Sequence, residues 1–209
     1  MADVHRVSAD AWCDLLRSLP RHHYPLWGQW LPEDGLLTFW EEERCGERLV
    51  YADPCKDSSV TARLEDHYGP PDGLMGSRLR SAFRREVGGA LIVARHLEDA
   101  RLDQWMGDQE LVMAELEVLT SKWLRSHVSF RVVACEDAAL RRRWSQGLLA
   151  SGLCPRDELH PRWLGLRAND PRVAATGIWV PPAENQPALD QAELAALTLA
   201  VEHSLGLNA

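Results

Sequence analysis

The stretch GALIVARHL, residues 89–97, and the four segments after it decide the predicted fold. GALIVARHL is a short apolar run of the kind that forms a buried strand. A helix is predicted next, because apolar residues recur at helical spacing in DQELVMAELEVLTSKWLRS (108–126). A half-buried strand follows, since apolar and polar residues alternate in VSFRVVA (128–134). A second helix is predicted for EDAALRRRWSQGLLASG (136–152). RWLGLR (162–167) is short and apolar. The order β-α-β-α-β predicts a parallel core, because parallel strands need long crossover connections.

The first of these segments has a second interpretation. Val93, Leu97, Ala100 and Arg101 also fall at helical spacing, so a helix could run through ALIVARHLEDARLDQW. Periodicity alone does not separate the two possibilities for residues 89–104. We take 89–96 as a strand; one continuous helix over 84–104 would remove the argument for a parallel sheet.

The N-terminal part predicts a helix followed by an antiparallel hairpin. Ser8 can cap a helix that ends near Leu19. The arms of the hairpin are residues 36–42 and 48–53, with Gly46 in the turn. VTARLED (60–66) alternates and could add a third strand.

Two further helices are predicted later in the chain. Ser77 can cap a short helix that Gly88 and Gly89 end. Asp190 and Glu193 resemble a capping box before a final helix that stops at Gly206.

The predicted fold class is therefore mixed α/β. An N-terminal helix and antiparallel hairpin region precede a βαβαβ-like half and a C-terminal helix. We expect a single domain over residues 1–209, with a possible subdivision into an α+β flank (1–76) and an α/β core (77–209).

Composition limits the compartment and the partners. The 209 residues are 45% hydrophobic and 26% charged, which is typical of a globular protein. No apolar run is long enough to span a bilayer and no signal-peptide pattern begins the chain, so we expect a cytoplasmic protein without a membrane partner. The net charge of −8 predicts that nucleic acid is an unlikely partner.

The motif Arg85-x-x-Gly88-x-Ala90 resembles the R/Q-x-x-G-x-G/A loop of the GCN5-related N-acyltransferases. That resemblance implies that Arg85, Gly88 and Gly89 hold the pyrophosphate of acyl-CoA. Backbone amides at a helix start bind phosphate oxygens, because they are unpaired and lie at the positive end of the helix dipole.

Other signatures of catalysis and cofactor binding are missing from the sequence. There is no P-loop, no G-x-G-x-x-G fingerprint and no G-x-S-x-G elbow. Cys45, Cys55 and His67 match no spacing of a structural zinc site, so no metal and no cofactor are expected. His67 follows Asp66, a pairing that can act as a general base, but we interpret it as a solvated loop feature.

Aromatic residues suggest a surface that binds a partner protein. Tyr24, Trp27 and Trp30 lie in the loop RHHYPLWGQW, and Arg80 and Arg84 lie in the arginine-rich helix after residue 77. Tryptophan is favoured at interface hot spots, and arginine suits a polar rim. The leading hypothesis is a non-catalytic accessory or adaptor protein that docks on another protein. The alternative is the acyl-CoA-dependent N-acyltransferase.

Overall fold

The computed structural model describes residues 9–26, 28–43, 46–73, 76–95, 99–107, 113–151, 163–176, 178–181 and 186–207. The elements are α1 (Ala9–Arg17), β1 (Gly35–Glu43), β2 (Gly46–Asp53), α2 (Val60–Tyr68), α3 (Ala82–Ala94), α4 (Asp99–Met106), α5 (Ala114–His127), β3 (Val128–Ala134), α6 (Ala138–Ala150), a 3-10 turn (Leu164–Arg167), α7 (Pro171–Thr176) and α8 (Gln191–Leu207).

The sheet has three antiparallel strands in the order β2-β1-β3. β1 pairs with β2 through partners such as Leu37 and Asp53, and with β3 through partners such as Phe39 and Phe130. Alternate residues of a strand point to opposite faces of the sheet, so each strand contributes to two cores. Helices α2, α3 and α5 pack on the face that carries Leu37 and Phe39. Helices α1, α6 and α8 pack on the opposite face.

The sequence prediction is confirmed for the mixed α/β class, the N-terminal helix, the hairpin and the C-terminal helix. The start of α8 forms the expected capping box, because Asp190 Oδ1 accepts from the Glu193 amide and Glu193 Oε2 accepts from the Asp190 amide. β1 pairs with β3, so the sheet joins both proposed sections of the chain. Whether those sections form one domain stays a prediction.

The prediction of a βαβαβ-like half is wrong. Residues 89–94 belong to α3, and residues 164–167 form a 3-10 turn, so β3 is the one strand among the described residues beyond 76. Residues 82–94 form a helix for two reasons. Ser81 caps its start, since Ser81 Oγ accepts a hydrogen bond from the Arg84 amide. In addition, Phe83, Val87 and Leu91 form an i, i+4, i+8 apolar stripe that packs in the core on one face of the sheet.

Three local predictions also need correction. VTARLED is helix α2 rather than a strand, capped by Ser59. α3 starts after Ser81, not after Ser77. Gly88 and Gly89 do not end α3 but lie inside it, where they allow Trp105 and Met106 of α4 to approach the helix backbone. In the described part of the chain, no helix is long and apolar enough to cross a membrane.

Candidate active site

A cluster of polar side chains lies between the end of β2 and helix α2, with Asp53 at its centre. Asp53 Oδ2 accepts hydrogen bonds from Arg63 Nη2 at 2.6 Å, His67 Nε2 at 3.1 Å and the Tyr51 hydroxyl at 3.2 Å. Asp53 Oδ1 accepts from the Cys55 amide at 2.8 Å. The periodicities of strand and helix explain this convergence. Tyr51 and Asp53 are two residues apart in β2, and Arg63 and His67 are four apart on α2, so each pair lies on one face.

The charges of Asp53 and Arg63 stabilise each other. Burial by itself would raise the pKa of Asp53, but the hydrogen bonds from His67 and Arg63 and the charge of Arg63 outweigh burial and hold it well below its usual range. Burial would likewise lower the pKa of Arg63, but its bond to Asp53 outweighs that effect and raises the pKa. At neutral pH the cluster therefore holds a carboxylate and a guanidinium ion.

His67 is fully buried and uses both ring nitrogens. Burial lowers its pKa, an effect that the hydrogen bond to Asp53 only partly offsets, so the ring is neutral at pH 7. Since Asp53 is ionised, Nε2 carries the proton and donates to it. Nδ1 then accepts from the Ser81 hydroxyl at 2.6 Å, while Ser81 Oγ accepts from the Arg84 amide. The interpretation of His67 as a solvated loop residue is therefore wrong.

Tyr51 closes the buried side of the cluster. Its ring stacks on Phe83 with centroids 5.1 Å apart and meets the His67 ring edge-on at 5.7 Å. Burial, together with the negative charge of Asp53, raises the pKa of Tyr51 well above its usual value. Tyr51 is therefore a neutral hydrogen-bond donor that orients Asp53.

A second buried ion pair adjoins this cluster. Arg84 Nε donates to Glu117 Oε2 at 2.7 Å, and the Arg78 amide donates to Glu117 Oε1 at 2.8 Å. Arg84 Nη1 also donates to the backbone oxygen of His67 at 3.1 Å, which links α3 and α5 to the end of α2.

We tested whether these carboxylates fit a divalent metal ion, which many hydrolytic enzymes use as a Lewis acid. Both oxygens of Glu117 and of Asp53 already accept hydrogen bonds from the protein. Among the described residues, no group of three or more His, Cys, Asp and Glu side chains could hold a metal ion. The arrangement does not fit a metal site, and no chemical step is assigned to a metal here.

An open cavity of about 490 Å³ lies beside the cluster, because Arg63 binds Asp66 and Arg80, which belong to its walls. The walls comprise Ala62, Glu65, Asp66, Pro70, Gly76, Ser77 and Arg80. The Arg63 side chain is 20% exposed, and its Nη1 donates to Asp66 Oδ2 at 2.9 Å and to the Arg80 backbone oxygen at 3.2 Å. Of the charged groups in the Asp53 cluster, the Arg63 guanidinium is therefore the one that a bound molecule can reach.

The residues predicted to bind a partner protein do not form one surface. Trp30 is 60% exposed, and Arg80 has an exposed side chain. Tyr24 is buried and stacks on Tyr68. Arg84 is buried in its pair with Glu117, so its assignment to a polar rim is wrong. Trp27 lies outside the described residues; a role of Trp30 in binding stays a prediction.

The proposed acyl-CoA loop is wrong as well. Arg85, Gly88 and Gly89 lie inside α3, where the amides of a helix interior are engaged in backbone hydrogen bonds. Gly88 packs against the ring of Trp105, so a phosphate has no cradle at this position. Neither the N-acyltransferase nor a cofactor role for these residues is supported.

The residues that do converge were missed because each belongs to a short and common pattern. Tyr51-x-Asp53 and Arg63-x-x-x-His67 are frequent spacings. The sequence signal for this site was the four-residue spacing of Arg63 and His67, which is typical of one face of a helix, just after the predicted hairpin. The predicted strand over residues 60–66 hid this signal, because it separates Arg63 from His67, which was predicted to lie in the loop that follows.

Comparison with known proteins identifies a family. The model of the GIY-YIG domain matches residues 52–205, well over half of the chain. No curated protein and no solved structure matches the chain. Neither triplet in the family's name, Gly-Ile-Tyr or Tyr-Ile-Gly, occurs in the sequence, which explains why the motifs did not reveal the family.

GIY-YIG domains are nucleases that bind nucleic acid, so two expectations from the sequence are wrong. These are the expectation that nucleic acid is an unlikely partner and the assignment to non-catalytic adaptor proteins. The error arose from the net charge of −8, which is a sum over the chain, whereas contacts with phosphates depend on the local placement of cations. The match over residues 52–205 shows that this chain belongs to the GIY-YIG domain family.

Proposed function

We propose that this protein is a nuclease that cleaves phosphodiester bonds of nucleic acid at the Asp53 cluster. The observation that carries the proposal is the position of Arg63. In a chain of a nuclease family, it is a partly exposed guanidinium ion that is held by a buried carboxylate and also donates to Asp66, a wall residue of the open cavity.

Arg63 is suited to bind the phosphate that reacts. A guanidinium group has five N–H donors in a planar fork that matches two phosphate oxygens. Its Nη2 donates once to Asp53, and its Nε makes no hydrogen bond within the described residues. Negative charge grows on the phosphate oxygens during hydrolysis, so a cation fixed in advance stabilises the transition state more than the substrate.

Asp66 limits access to Arg63 in the free protein. It accepts from Arg63 Nη1, and its Oδ1 lies 3.9 Å from Arg80 Nη1. A phosphate that enters the cavity replaces this carboxylate as the acceptor of Arg63, while Arg80, 74% exposed, supplies a second cation. Asp66 is partly exposed and lies on the solvent side, so it can turn towards water at little cost.

His67, Asp53 and Tyr51 are positioning residues in this scheme. His67 is buried with both nitrogens engaged, and Tyr51 is a neutral donor to Asp53. Their hydrogen bonds fix the Asp53 carboxylate, and the carboxylate fixes the guanidinium of Arg63. The general base that activates water is not among these three side chains.

The test is a cleavage assay on purified protein. Labelled DNA and RNA, each as single strand, duplex and branched junction, are incubated with Mg²⁺, with Mn²⁺ and with EDTA. We expect cleavage by the wild type, and a loss on the order of 100-fold or more in kcat for Arg63→Gln, the effect of removing one charge-stabilising donor.

Arg142→Gln is the matched control, because Arg142 is an exposed arginine on α6. It should cleave at the wild-type rate. Absence of cleavage by the wild type on every substrate would refute the proposal, and so would an Arg63→Gln protein of native stability with unchanged kcat.

A further inference from the structure

A second cavity, of about 340 Å³, lies where helices α3, α4 and α5 meet. Its lining combines cations with an apolar floor and comprises Arg95, Arg101, Glu115, Leu116, Val118, Leu119 and Lys122. Arg95 caps the end of α3, Arg101 lies on α4, and Lys122 lies on α5. Three helices therefore each present one cation to the same space, which we call the α3–α5 groove.

These three cations differ from most arginines of the protein in having no partner. Arg48, Arg63, Arg84, Arg131 and Arg143 each bind a carboxylate of the chain. Arg95, Arg101 and Lys122 are exposed, and within the described ranges their side chains make no hydrogen bond or ion pair. Among the described residues of the lining Glu115 is the one acidic residue, so their charges sum to a net positive value in a protein of net charge −8.

We propose that the α3–α5 groove binds the phosphate backbone of the nucleic-acid substrate, apart from the Asp53 cluster. The proposal rests on the proposed nuclease function for the identity of its ligand. Unpaired cations on an acidic protein are complementary to a polyanion, and phosphate contacts of this kind position a nucleic acid without reading its sequence. The apolar floor of Leu116, Val118 and Leu119 provides a surface for sugars or bases beside the backbone.

The experiment measures binding separately from cleavage. Labelled single-stranded and duplex DNA are titrated with the full-length protein in EDTA over a range of salt concentrations, and binding is followed by fluorescence anisotropy. The test variant is R95Q/R101Q/K122Q. The control is R142Q/R167Q, which removes two exposed arginines from α6 and the 3-10 turn.

The slope of log affinity against log salt counts the phosphates that are neutralised, at about 0.9 per phosphate for duplex DNA. We therefore expect the slope of the triple variant to be shallower by about 2.7 on duplex, with the control unchanged. Glu115→Gln should act in the opposite direction and strengthen binding a few-fold, because it removes a carboxylate from the groove lining.

Failure of the groove and failure of the nuclease proposal have different signatures. If the wild type binds DNA and the triple variant keeps the slope of the control, the groove proposal is overturned, whether or not cleavage occurs. The groove proposal is also overturned if a poly-glutamate peptide binds to the protein through the three cations while the binding of DNA does not depend on them. A shallower slope for the triple variant supports the groove even if the wild type cleaves nothing, a result that refutes only the nuclease.

In the cleavage assay, the two sites should affect different constants. The triple variant should raise KM and leave kcat near the wild-type value, since the groove holds the substrate away from the reacting phosphate. Arg63→Gln should instead lower kcat. A triple variant with lowered kcat and unchanged KM would contradict a role in substrate binding.

Discussion

Replacing Asp53 with asparagine tests the centre of the candidate site most directly. The Asp53 side chain is nearly buried and is the acceptor for Arg63, His67 and Tyr51. The change keeps the shape of the side chain but removes its charge and one acceptor oxygen. Arg63 then loses the carboxylate that offsets its desolvation.

Removing one partner of a buried ion pair costs about 3–5 kcal/mol. Arg63 is 20% exposed, so water offsets part of that cost, and we expect about 3 kcal/mol for Asp53→Asn. Asp66→Asn is the matched control, because Asp66 pairs with the same guanidinium from the solvent side. A partly exposed pair of this kind contributes about 0.5 kcal/mol.

The pH dependence gives an independent measurement. The pKa of Asp53 in the folded protein lies below its value in the unfolded chain. The unfolded state therefore binds more protons in acid, and the contribution of Asp53 to stability, complete above about pH 5, is lost as the pH falls through about 4 and below. The wild type should lose this contribution on acidification, and Asp53→Asn should not.

The assay is urea unfolding followed by tryptophan fluorescence at pH 7 and at several acidic pH values. Two outcomes would refute the reasoning. One is an Asp53→Asn protein within 1 kcal/mol of the wild type at pH 7, a threshold on the order of one ordinary hydrogen bond. The other is a mutant that loses stability in acid as steeply as the wild type.

Three further changes have expected outcomes in the same unfolding assay. Glu117→Gln should cost about 3–5 kcal/mol because it leaves Arg84 buried without a charged partner, and a cost below 1 kcal/mol would contradict the buried pair. Gly88→Ala should cost about 1–3 kcal/mol by overpacking, since a Cβ there would overlap the buried indole on α4; an unchanged midpoint would show that α4 packs elsewhere. Ser81→Ala removes both a helix cap and the donor to the His67 ring, whereas Ser59→Ala removes a cap alone. Ser81→Ala should therefore lower the free energy of unfolding by about 1 kcal/mol more than Ser59→Ala does. Equal losses for the two variants would count against the contact with His67.

The parts of the fold that the sequence predicts correctly are those with a single consistent period. β3 has apolar Val128, Phe130 and Val132 at alternate positions, although both of its faces are buried rather than one, and the stripes of α5 and α6 repeat every three or four residues. Residues 89–94 are apolar on all sides, because α3 packs on the sheet with one face and on Trp105 with another. A helix buried on two sides has the same apolar run as a buried strand, and periodicity alone does not distinguish them.

The candidate site was harder to predict because its members meet only in the folded chain. Asp53 ends one strand, Arg63 and His67 lie on the next helix, and Ser81 caps a third element. Each residue type is ordinary in its own segment, and its role depends on burial. The sequence gives no sign that His67 is fully buried, and burial is what keeps the ring neutral.

The prediction from net charge that nucleic acid is an unlikely partner is wrong for a related reason. Much of the arginine of this protein lies inside it, where guanidinium groups bind carboxylates and backbone carbonyl oxygens. Arg141 shows this plainly: its guanidinium donates to the carbonyls of Pro54, Cys135 and Glu136 and so joins the loop after β2 to the loop after β3. A guanidinium group that is buried, unlike that of Arg63, is not available to a substrate, so neither the total charge nor the count of arginines measures affinity for nucleic acid. Exposed cations are the ones that a substrate can reach, and the α3–α5 groove, which we propose as a phosphate site, is lined by three that have no partner among the described residues.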